Sequence, residues 1–276
     1  MTKFEIDGKI IFHIRKEIKP QSIIPILIAI SANEDADSVA FGRLGTRAQA
    51  IAELRRVGLI APRTNELTEQ GSLLIELNAK RPHLVAEALH AMYIRLAVES
   101  VDGSKFGAGW AYRQVCAFVW GGGGGILDRT GLIGRFYASA SAEFGLPEDQ
   151  IAFSTTSING ITNWLGGLEP QVYAESVITL RHVCPPEAVW WAVDGLHYVG
   201  GQRLPTGIRL PLTADLSVVL CQHLLIHEDA LGRVLDQAKR RSDFSQGGIF
   251  DTGTAGGQGR WVLLARRLAP PQTLDR

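Results

Sequence analysis

The stretch Thr46-Arg47-Ala48-Gln49-Ala50-Ile51-Ala52-Glu53-Leu54-Arg55-Arg56-Val57-Gly58-Leu59-Ile60, followed by Leu67-Thr68-Glu69-Gln70-Gly71-Ser72-Leu73-Leu74, decides how the chain is read. Ala50, Ile51, Leu54 and Val57 recur at helical spacing and form one apolar face. Gly58 stands where a left-handed residue closes a helix. Leu59-Ile60 then reads as a short strand, residues 61–66 as a polar turn, and Thr68 as the cap of a returning helix over Glu69–Leu77.

Upstream of this stretch, weak alternation of Phe4, Ile6, Ile10, Phe12 and Ile14 with charges predicts one or two short strands within residues 1–19. Pro20 opens a buried helix to Ala32, and residues 38–58 carry two helices split at Gly45. Downstream, Pro82 opens a long helix to about Glu99, with Leu84, Ala88, Ala91, Ile94 and Leu96 as its apolar side, and Gly107–Trp120 forms another. Gly121–Gly125 is a run of glycines with the highest backbone entropy of any pentapeptide, which predicts a boundary between an N-terminal unit (1–120) and a second unit (126–276). The second unit carries helices over Asp128–Phe144, Thr155–Leu165, Thr213–Ile226 and Asp229–Arg241, and a hairpin within Gly248–Leu268. Pro185-Pro186 and Gly200-Gly201 read as breaks, with Trp190-Trp191 as a core or interface anchor.

Composition narrows the function classes. Across 276 residues, 28 Lys+Arg balance 28 Asp+Glu, which excludes a polybasic protein but not a local basic face. Apolar residues at 46% and charged residues at 20% describe a globular chain long enough to bury a core without metal or disulfide staples. The three cysteines, Cys116, Cys184 and Cys221, are too few for a disulfide framework. Charges inside the first residues argue against a secretory signal, and the longest apolar run there, Ile23–Ile30, is far short of the roughly 20 residues a bilayer requires. A cytoplasmic protein without a membrane partner is expected.

The phrase "helix, Gly-Leu-Ile, polar turn, Leu-Thr-x-x-Gly" over residues 46–74 resembles the winged helix-turn-helix family. That resemblance implies a helix lying in the major groove of double-stranded DNA and a wing near its backbone. The groove-facing positions it implies are Arg43, Thr46, Arg47, Gln49 and Arg55 or Arg56, where Arg and Gln are the residue types that read guanine and adenine edges bidentately. The fold class expected is thus mainly α with short β-hairpins, organised as winged helix-turn-helix units. Residues 35–80 hold six acidic and six basic residues, so charge alone does not separate a DNA-binding wing from one that binds protein. The layout is also loosely similar to helical proteins of bacterial phage-defence and DNA-modification islands. The shared features are an early winged helix, a long helix through His90-Ala91-Met92-Tyr93, and a terminal basic helix with a Gly-rich hairpin.

Two further segments are candidate DNA contacts. In Thr155–Leu165, Ile158, Ile161, Trp164 and Leu165 mark one face, leaving Ser157, Asn159, Thr162 and Asn163 on the other as short hydrogen-bonding side chains suited to bases or phosphates, or simply as a polar surface. Residues 233–267 hold seven basic against three acidic residues, with Lys239, Arg240, Arg241 and Arg260 beside Trp261, which suits a phosphate clamp or an ordinary solvated helix end.

Enzyme motifs are weak. Asp251-Thr252-Gly253 matches the aspartic-protease triplet, but too little chain follows it to build that fold. The glycine run lacks the Gly-Lys-Ser/Thr ending of a phosphate loop, and no Gly-x-Ser-x-Gly elbow occurs. His223 and His227, at i and i+4 with Cys221, Glu228, His182 and Cys184 nearby, could form a zinc constellation or be scattered core and surface histidines. No metal and no cofactor are expected. Non-enzymatic DNA binding is favoured, as a regulator or as the recognition subunit of a bacterial assembly with protein partners or further copies of the chain. The alternatives are a protein-binding scaffold, suited by Trp110, Trp120 and Trp164 if exposed, and a zinc-dependent enzyme.

Overall fold

The structure, a computed structural model, describes residues 5–6, 9–12, 14, 19–32, 47–99, 106–199, 202–244, 248–255 and 259–273. Arg43, Thr46 and the helix expected between 38 and 45 lie outside them.

The protein is mainly helical, with small sheets at its margins. Two short strands, β1 (Glu5–Ile6) and β2 (Lys9–Ile11), precede α1 (Pro20–Ser31). Pro20 sits in the first turn of α1, where its missing N–H costs nothing. Then come α2 (Arg47–Arg56), α3 (Glu69–Lys80), α4 (Val85–Glu99), entered through a single tight turn at Pro82–Leu84, and α5 (Phe106–Gly121).

The second half begins with β3 (Gly125–Ile126) and α6 (Arg129–Phe144), whose first turn is capped by Asp128 through Gly131 N at 2.9 Å. It continues through β4 (Ile151–Ala152), α7 (Thr155–Leu165), β5 (Tyr173–Ala174), β6 (Val177–Ile178) and α8 (Pro186–Leu196). The chain closes with β7 (Tyr198–Val199), β8 (Gln202–Arg203), β9 (Arg209–Pro211), α9 (Ala214–Leu224), α10 (Leu231–Phe244), β10 (Phe250–Ala255) and β11 (Gly259–Leu264).

The sheets have the orders β1-β2-β4, β3-β6-β5, β10-β11-β9 and β7-β8. All their pairings are antiparallel except β2 with β4, which brings Ile10 opposite Ile151. Among the described residues no helix is long and apolar enough to cross a membrane.

Helix α4 is the central element, buried from Val85 through Arg95 and packed against α1, α3, α5, α7 and α8. Beside it, α8 is buried from Glu187 to Leu196. The Pro185-Pro186 pair, read from sequence as a break, instead starts this helix. Its mixed apolar content shows no polar face to reveal a helical period.

Aromatic rings fill the space between layers. Phe12 lies 5.5 Å from both Trp110 of α5 and Phe136 of α6, and Tyr93 stacks on Tyr112 at 5.0 Å. Trp110 and Trp164 are buried and Trp120 is half-buried with its Nε1–H donated to Ile226 O at 2.8 Å, so these rings serve the interior rather than an exposed scaffold surface.

The glycine run turns the chain from α5 into β3. Gly123, Gly124 and Gly125 have φ of 70°, 98° and 101°, values side chains disfavour. One buried core continues across this turn, from Val115 and Val119 to Leu132 and Phe136.

Candidate nucleic-acid interface and the buried polar core

After α2 the chain reverses at Gly58, whose φ is 78°. Leu59-Ile60 follows, and Ile60 bridges Leu67 across the turn. Thr68 then joins the two ends of the motif. Its Oγ1 donates to Gly58 O at 2.6 Å and accepts from Gly71 N at 3.1 Å, capping α3. Gly71 permits this closeness, because a Cβ there would stand 2.3 Å from Leu59 O.

Two of the predicted groove-facing residues are committed within the protein. Arg55 Nη2 donates to Asn65 Oδ1 at 2.8 Å and to Thr64 O at 3.2 Å, tying the polar turn to α2. Arg56 Nη1 bonds Glu53 Oε2 at 2.8 Å, while Glu53 Oε1 accepts the Tyr93 hydroxyl of α4. These two arginines brace the motif instead of projecting from it. Arg47 and Gln49 belong to the first turn of α2.

Helix α7 departs from expectation. Ser157 and Thr162 are both buried, so neither can reach a base or a phosphate. Ser157 Oγ accepts Ser154 N at 3.2 Å at the helix start, and Thr162 Oγ1 donates to Asn159 O at 3.3 Å. Asn159 and Asn163 are half-buried. The helix packs against α4, α5 and α6.

The C-terminal basic segment is partly neutralised. Arg260 Nη1 pairs with Asp236 Oδ1 at 2.8 Å, and Lys239 Nζ pairs with Asp251, a bond that raises the lysine's pKa. Arg240 and Arg241 are exposed on α10. On the outer face of the adjoining sheet, Trp261 lies across Gly253, and Arg209 covers the ring at 4.4 Å.

The histidines do not form the predicted pair. Helix α9 ends at Leu224 and Leu225 turns left-handed with φ 50°, so His227 lies beyond the helix that carries His223. His227 stacks instead on His182 at 4.3 Å, and His182 Nδ1 stands 3.9 Å from Asp229 Oδ1. Among the described residues no three His, Cys, Asp or Glu side chains are grouped to hold a metal ion.

Sequence reasoning missed a polar seam inside the core. Glu87, His90 and Arg95 share a face of α4, and each reaches a partner far along the chain. Glu87 Oε1 pairs with the buried Arg181 and also accepts Glu169 N at 3.1 Å. Arg181 donates twice more to Leu224 O, from Nε at 3.1 Å and from Nη2 at 2.5 Å, which holds the left-handed end of α9. Arg95 Nη1 pairs with Asp194 Oδ2 of α8 at 2.7 Å, and Arg81 Nη1 with Glu187 Oε1 at 2.5 Å.

The His90 tautomer follows from its partners. Its Nε2 lies 2.6 Å from His223 O, which can only accept, so Nε2 carries the hydrogen. Its Nδ1, 2.7 Å from Tyr112 Oη, then accepts the phenol hydrogen. Burial pushes the His90 pKa down to about 4, against the raising effect of Glu87, and the ring is neutral at pH 7. Burial and the nearby Arg113 cation push His223 down to about 3. Spacing did carry a signal for this seam: polar residues at i, i+3 and i+8 lie within an otherwise apolar helix. The seam encloses a cavity of only about 10 Å³, too small for an organic substrate. A larger cavity, about 280 Å³, opens between α3 and residues 271–273.

The chain matches no protein-family model, no curated protein sequence and no solved structure.

Proposed function

We propose that the protein is a non-enzymatic double-stranded DNA-binding protein of the cytoplasm, a regulator or the recognition subunit of a bacterial, defence-related assembly. The observation that carries this reading is the α2–turn–α3 motif. A helix ends at a left-handed glycine, a minimal strand pair closes a polar turn, and a Thr-capped helix returns. In the winged-helix reading α2 enters the major groove through its N-terminal residues, Arg47 and Gln49, and the turn pinned by Arg55 approaches the phosphates. Residues 1–120 then supply recognition, and residues 126–276 supply Arg240 and Arg241 as backbone contacts and a surface for partners. A gel shift with random duplex DNA at low and moderate salt tests the reading. Retarded complexes that weaken with salt are expected, and no complex at low salt refutes it.

A protein-binding scaffold is the second reading. It is favoured by a row of exposed apolar side chains across the β3-β6-β5 sheet, where Ile126, 85% exposed, lies opposite Val177, 41% exposed. Loss of self-association or partner capture in Ile126→Asp, with DNA binding absent in the parent, selects it.

A further inference from the structure

The seam between α4, α8 and α9 contains polar atoms whose hydrogen-bonding capacity the protein itself does not use. Glu87 Oε2, His223 Nδ1 and His223 Nε2 are all buried and have no hydrogen-bond partner among the described residues. Glu87 and His223 both line the cavity described above, together with His90, Arg95 and Trp191. Leaving a buried polar atom unpaired is costly, and native interiors rarely accept several such atoms together.

The room available selects the ligand. The cavity volume open to a water molecule is about 10 Å³. One water needs on the order of 10–15 Å³ of such room and two to four polar partners. We propose that this cavity is a binding site for one internal water, bridging Glu87 Oε2 on α4 to a ring nitrogen of His223 on α9. The carboxylate can only accept, so the water donates one hydrogen to Glu87 Oε2. Toward the neutral imidazole it either donates its second hydrogen to the bare nitrogen or accepts from the N–H. Either choice fixes the His223 tautomer. A cation is disfavoured there because Arg181 already neutralises Glu87, and a carboxylate or phosphate is too large.

This bridge would complete a closed circuit. Glu87 reaches Leu224 O through Arg181, and His90 reaches His223 O directly, so α4 already holds the end of α9 by two routes. The water adds a third route through the His223 side chain.

The test is a high-resolution crystal structure of the full chain. A density peak is expected within about 3.2 Å of both Glu87 Oε2 and one His223 ring nitrogen. The peak is expected to persist in His223→Gln, which keeps a donor and an acceptor, and to vanish in His223→Leu. A well-ordered map without the peak overturns the proposal. So does a ring nitrogen bonded directly to Glu87, or a peak that persists in the leucine variant. The parent and glutamine structures alone decide the matter if the leucine variant does not fold.

Discussion

Arg95 Nη1 lies 2.7 Å from Asp194 Oδ2, with the two side chains 7% and 0% exposed, and the other Asp194 oxygen accepts Leu268 N at 3.2 Å. One carboxylate therefore ties α4, α8 and the C-terminal segment together. Removing one member of a buried pair strands the other charge in a medium that cannot solvate it. Asp194→Ala is expected to destabilise the fold by about 3–5 kcal/mol in urea titrations. The double replacement Arg95→Met with Asp194→Leu is expected to cost less than Asp194→Ala alone, because no unpaired charge remains.

The arginines of α2 should separate into bracing and reading roles. If the proposed groove contact holds, Arg47→Ala is expected to weaken sequence-specific binding by about 1–3 kcal/mol with unchanged circular dichroism. Arg55→Ala frees the turn at residues 61–66 and is expected to raise amide exchange there, at a stability cost of about 1 kcal/mol. Equal loss of binding across all duplex sequences in Arg47→Ala counts against groove reading.

The exposed arginines of α10 make a prediction in salt. Each phosphate contact contributes a slope of about −0.9 to log affinity against log salt on duplex DNA. Arg240→Ala with Arg241→Ala is expected to flatten that slope by up to about two units, independently of sequence. Parent-like salt dependence in the double variant removes α10 from the interface.

Acid should loosen the core through its histidines. His90 and His223 have folded pKa values of about 4 and about 3, both below the unfolded value of 6.5. The unfolded chain therefore binds more protons at any pH below about 6.5. The stability from burying neutral rings is fully present above that pH and is lost as pH falls toward the folded values. The pair is expected to lower unfolding free energy by roughly 1–3 kcal/mol per pH unit between pH 6 and 4. Denaturant titrations at several pH values measure this. His223→Leu is expected to reduce the slope by about half, since one of the two linked protons is gone.

Local signals made much of the fold legible. Thr68 announced its helix because a cap acts on a hydrogen bond three residues away. The β10–β11 hairpin was readable from two apolar runs around a glycine loop. What escaped depends on distance along the chain or on absolute burial. Arg181 and Glu87 are 94 residues apart, and no spacing rule links them. Ser157 and Thr162 sit on the less apolar side of α7, but periodicity ranks the faces of a helix without saying whether the second face is also covered. Helix α8 was hidden because it is buried all round. His223 and His227 matched a helical interval that the left-handed Leu225 interrupts, a backbone event that a leucine does not advertise.

The parallel pairing of β2 with β4 also bears on how the chain is synthesised. Ile10 and Ile11 leave the ribosome early, while their partners Ile151 and Ala152 follow only after α1 through α6 have been translated. The nascent amino-terminal segment must therefore wait with Phe12 only partly packed, against Trp110, because its other ring partners, Phe136 and Phe144, belong to the same late-arriving part. Vectorial folding cannot finish the first half before the second half emerges. A polypeptide released prematurely at the glycine run would leave β2 without β4 and Trp110 without its ring partners on α6, a sticky product of the kind that chaperones and proteases remove.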